Sequence, residues 1–130
     1  MNEFSTTAFK HPKIYADLSA LYMSYWQQHQ RLPKPFRFTT GERILTQLDD
    51  CMHIIIEANL VNKNCPQECK NAAEMLRKVR TTLIVIRGFL HNAWRLKFIS
   101  HKCMAQFQIQ LDEIEKQVTK WQQWYILKSS

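Results

Sequence analysis

TTLIVIRGFL, residues 81–90, is the stretch on which the fold turns. Its β-branched residues cluster as they do in a buried strand, and Gly88 weakens a helix by about 1 kcal/mol relative to alanine. Local propensity alone therefore favours a strand. The flanks decide otherwise, because Leu76, Val79, Leu83, Ile86, Leu90 and Trp94 step by threes and fours without interruption, spaced like a coiled-coil seam. An isolated strand with no partner strands elsewhere also has no ladder to join. The spacing predicts one long helix from about Pro66 to Lys97.

Three more amphipathic stripes surround it. Ile44, Leu48, Cys51, Ile55 and Ala58, widened by Leu45, Met52 and Ile56, predict a helix to about Asn62, with Thr39 or Thr40 as N-cap and Glu42 in the first turn. VNKNCPQ follows with turn chemistry, and Pro66 suits a first helical position. Further upstream, Ile14, Leu18, Leu21 and Tyr25, with Tyr15, Tyr22 and Trp26, predict a helix to about Leu32, which Pro33 and Pro35 stop. Downstream, Ser100 is the expected N-cap of a last helix whose seam is Met104, Phe107, Leu111, Ile114, Val118, Trp121 and Tyr125. Four stripes with short connections predict an all-α, up-down four-helix bundle over residues 14–128. Residues 1–13, polar and ending beside Pro12, are expected to be a loosely ordered leader.

Composition agrees. At 130 residues the chain fits one domain, and two glycines and four prolines are few turn residues for a many-stranded sheet. The opening MNEFSTTAFKHPK lacks the basic start and apolar run of a secretory signal, and no window holds the roughly 18 uncharged apolar residues of a membrane span. A cytoplasmic chain without membrane contact is expected, with Cys51, Cys65, Cys69 and Cys103 as reduced thiols.

The net charge of +7 points to anionic partners. It is unevenly placed: residues 1–65 hold seven basic and six acidic side chains, whereas residues 70–102 hold eight and one. On a helical wheel Lys70, Arg77, Arg80, Arg87, His91 and Arg95 fall within an arc of roughly 100° beside the apolar seam. Such a ridge, rich in guanidinium forks and poor in acidic neighbours, suits phosphate better than a solvated face of mixed sign. Arg77, Arg80, Arg87 and Arg95 are the expected contacts to phosphate or to a protein partner, with Lys78, Lys97 and Arg37 secondary.

Other chemistry is weaker. Cys65, Cys69, His101 and Cys103 are too loosely spaced for a zinc knuckle, so neither metal nor cofactor is expected. Asp49, Asp50 and His53 can share a helix face, but adjacent carboxylates on a helix point apart, and no nucleophile with its base or glycine-rich phosphate loop stands out. No enzyme is expected. Trp26, Trp124 and the Phe36–Phe38 pair fit a subunit interface better than base stacking.

Two segments carry a resemblance. LPKPFRFTTGERI at 32–44, opening a helix after an aromatic-rich one, and ISHKCMAQFQIQLDEI at 99–114, followed by Trp121, resemble the accessory variability determinant family of diversity-generating retroelements. The likeness spans roughly residues 14–127. It departs where the family's last helix carries small residues and this chain has Glu115, Thr119 and Lys120. The resemblance implies a four-helix bundle assembling as a ring-like homopentamer. It also implies binding to a reverse transcriptase and its template RNA in support of mutagenic cDNA synthesis. Within LPKPFRFTTGERI, Pro33 and Pro35 are expected to stiffen the loop and Phe36 or Phe38 to staple the bundle end before a threonine cap. Lys34, Arg37 and Arg43 would then point outward. The alternatives are the bundle protein encoded in intervening sequences of ribosomal RNA, and an interaction module docking an acidic protein.

Overall fold

The computed structural model describes residues 12–130, and the expected leader lies almost wholly outside that range. Four long helices, α1 (Pro12–His29), α2 (Glu42–Asn59), α3 (Pro66–Arg95) and α4 (His101–Lys128), run up and down, and no strand occurs among the described residues. Each packs on its neighbour in sequence, and α1 closes the square against α4. The seam between α3 and α4 is the most extensive.

TTLIVIRGFL lies wholly within α3. Leu83, Ile86 and Leu90 are buried while Ile84 and Val85 face outward, the split a helical period requires and a strand's alternation does not give. All seven seam residues of α4, and Ile44, Leu48, Cys51, Ile55 and Ala58 of α2, are buried as the spacing predicts. Tyr25, Tyr125 and Phe107 are the bulkiest fully enclosed side chains. Trp26, read with the apolar face of α1, instead stands 44% exposed.

Capping explains most boundaries. Ser100 has extended backbone and its hydroxyl accepts from Cys103 N at 3.0 Å, as an N-cap should. Pro66 opens α3, where a missing N–H costs nothing. The start of α2 differs from the threonine cap expected. Pro33, at φ −55° and ψ 142°, is itself the N-cap of a turn over Lys34–Phe36, which passes through a π-helical turn at Arg37–Gly41 straight into α2. Thr39 lies inside this helix, and its hydroxyl donates back to the Pro35 carbonyl at 2.6 Å. The prolines thus restart a helix as well as ending one. Of the two phenylalanines, Phe36 turns inward onto Phe98 while Phe38 stays 61% exposed.

Candidate nucleic-acid interface

The arginines of α3 divide into groups with different surroundings. Arg87 donates to Asp112 at 2.7 Å and Glu115 at 2.8 Å, both on α4. These bonds outweigh the desolvation that opposes its charge, so its pKa rises. Arg80 donates to Gln122 Oε1 at 2.8 Å across the same seam. The acidic neighbours missing from the α3 sequence are therefore supplied by α4, and these two side chains join the helices. Arg77 meets Glu74 at 3.1 Å and, with Lys78, lines a groove against Asp50, His53 and Glu57 of α2. That groove has both signs of charge and places no dominant field on a polyanion. Arg95 alone of the four stands at the end of α3, with Lys97 beside it.

That end gathers more. The up-down topology brings the α1–α2 connection and the α3–α4 turn to one end of the bundle. Phe36 meets Phe98 with ring centres 5.3 Å apart, and the Arg43 guanidinium lies 5.0 Å over the Phe89 ring. Residues 29–43 and 91–103 contain seven cations, Arg31, Lys34, Arg37, Arg43, Arg95, Lys97 and Lys102, against the single carboxylate of Glu42. Their balance of +6 nearly equals the +7 of the whole chain. Among the described residues none of the seven meets a carboxylate within 4.0 Å. Arg37 is held in place, donating to the Gln30 carbonyl at 2.9 Å with its guanidinium 4.9 Å from the Phe38 ring centre.

Glu42 is already engaged. Its carboxylate lies 3.2 Å from Nε2 of the buried His29, whose Nδ1 is 3.1 Å from the Tyr25 hydroxyl. Tyr25 also donates to the Gly41 carbonyl at 3.3 Å, so this knot ties α1 to the start of α2. Burial, reinforced by the Glu42 charge, raises the Tyr25 pKa and keeps the phenol a donor.

Between α3 and α4 the same end opens a cleft of about 660 Å³. Trp94, Arg95, Lys97, Phe98, Ile99 and His101 line it. Arg37, Arg95 and Lys97 are thus the expected site residues that the fold brings together. Arg31, Lys34, Arg43 and Lys102 join them from positions scattered in sequence. Their common feature is the bundle end they share, not a helix face.

The cysteine and histidine set divides. Cys65 and Cys69 sit at the start of α3 and His101 and Cys103 beyond its other end, a helix about 45 Å long away. No group of three or more His, Cys, Asp or Glu suited to a metal occurs among the described residues. Burial and the Asp50 charge push the Cys51 thiol up to about 12, so it packs as a small hydrophobe. No described helix is long and apolar enough to cross a membrane.

Fold and surface define the class as an all-α up-down four-helix bundle with one strongly cationic end. Comparison with protein-family models, curated proteins and solved structures finds no match.

Proposed function

We propose that this chain is a non-enzymatic accessory protein that binds RNA through the cationic end of its bundle. Following its resemblance to the accessory variability determinant family, the RNA is a retroelement template, engaged together with a reverse transcriptase in mutagenic cDNA synthesis. The observation that carries RNA binding is the concentration of +6 at an end where the sole carboxylate is already occupied. Flexible lysines and bidentate arginines without base-reading apparatus favour phosphate-dominated contact, positioned by charge and sensitive to salt. If four of the cations neutralise phosphates of a single strand, log K falls with log salt at a slope of about −3. Ring-like homopentameric assembly belongs to the same proposal. Met23 and Trp26, exposed beside Tyr22 on α1, supply an apolar surface of the kind subunits share.

Co-expression of the tagged chain with a retroelement reverse transcriptase and its template RNA tests this reading. Both are expected to co-purify at low salt, with RNA released as salt rises. Retention of neither, by a chain that remains folded, would leave an acidic protein as the partner.

A further inference from the structure

Resting on the reading of the cationic end as an RNA interface, we propose that the cleft at the α3–α4 turn is a subsite for one unpaired nucleotide. It makes the protein select single-stranded over duplex RNA. Lys97 determines its affinity.

The lining carries the argument. Phosphate contact alone needs only cations, and the rest of this bundle end supplies those. The cleft adds the aromatic side chains of Trp94 and Phe98 to a lining that also holds Arg95, Lys97 and His101. A nucleotide offers the matching pair, a flat aromatic face that stacks and an anion. A duplex keeps its bases stacked inside and cannot offer one, whereas a single strand can. The volume of about 660 Å³ lies within the roughly 300–1,000 Å³ of small-ligand sites.

Both aromatic side chains are held in place. Trp94 meets the His91 and His101 rings, with centres 5.2 and 5.4 Å away, and Phe98 makes a T-shaped contact with Phe36. Trp94 Nε1 donates to His101 Nδ1 at 2.8 Å. An indole N–H can only donate, so Nδ1 accepts and the ring proton sits on Nε2, a hydrogen-bond donor suited to a phosphate oxygen.

Lys97 supplies the independent observation. Its φ of 66° is the only left-handed value at a non-glycine residue among the described residues. It occupies the position after the α3 cap where Phe98 N donates to the Ala93 carbonyl at 2.8 Å and Lys97 N to the Trp94 carbonyl at 2.9 Å. Glycine is favoured at this place in such a motif. A lysine here opposes the local backbone preference, and the residue lines the cleft.

Fluorescence anisotropy of a short labelled single-stranded RNA and of a duplex of equal length, at one salt concentration, tests the subsite. The wild-type chain is expected to bind the single strand about 10-fold more tightly. Lys97→Gly should lose about 5- to 10-fold on the single strand and only the smaller loss of one phosphate contact on the duplex, so that the single-strand preference shrinks, with Tm unchanged or raised, and Lys97→Arg should bind as wild type. Equal affinity for both RNAs, or undiminished single-strand binding by Lys97→Gly, overturns the subsite and leaves the cationic end standing. A lowered Tm in Lys97→Gly overturns the role given to Lys97, assigning it to the negative end of α3 instead. Absence of RNA binding by the wild-type chain overturns both the subsite and the interface.

Discussion

A Cβ built on Gly41 lies 3.0 Å from Cε1 and Nδ1 of His29 and from the Tyr25 hydroxyl. The φ of −60° suits any residue, so the glycine is required by contact and not by backbone conformation. Gly41→Ala should cost about 1–3 kcal/mol, as overpacking does, read as a lower denaturation midpoint. Gly88 is the contrast. Its Cβ position meets nothing within 4 Å, so Gly88→Ala should add about 0.4–1 kcal/mol in the same assay. Gly41 lies within LPKPFRFTTGERI, but nothing in that stretch shows why a glycine is needed, because the atoms that demand it arrive from α1 through tertiary packing. At the opposite end of the bundle the Tyr125 hydroxyl donates to the Ala58 carbonyl at 2.6 Å. Burial, with the Cys69 charge adding to it, pushes this phenol up to about 12 from its ordinary 10.0. A raised folded-state pKa on an acid means its stabilisation is whole below pH 10 and is lost as pH climbs to about 12. Tyr125→Phe should lose about 1–3 kcal/mol near neutrality and show a shallower alkaline decline in denaturant titrations between those values.

Helices were legible because burial follows their periodicity: the seams of α2 and α4 were visible as spacing, and the β-branched run in α3 yielded to its flanks. What was not legible depended on partners. Thr39 has the chemistry of a cap, but Pro33 starts the turn six residues earlier, and a threonine inside a helix bonds backward. On an isolated α3 the basic residues make one cationic arc. Asp112 and Glu115 belong to α4 and turn Arg87 into an interhelical tie that the wheel cannot display. Arg87→Gln should therefore lower stability by about 0.5–1.5 kcal/mol, given its partial exposure, while leaving RNA affinity within about twofold of wild type. Parallel denaturation and anisotropy measurements check both halves of that statement.

At the scale of the molecule, an up-down topology converts two connections far apart in sequence into one surface. Charges at 31–43 and 95–102 are modest within their own segments and become a single field only when the bundle closes. The opposite arrangement, a stripe along α3, is weakened by the carboxylates of α4 and by the mixed groove facing α2. The most direct test compares two charge reversals in one RNA-binding assay across salt. One changes Lys34, Arg37, Arg95 and Lys97 to glutamate, and the other changes Lys70, Arg77 and Lys78, with helical content followed by circular dichroism. The first variant is expected to lose RNA binding and its salt dependence while the second keeps most of both. Full binding by the first variant, or equal losses in the two with folding intact, would contradict an RNA interface at this end.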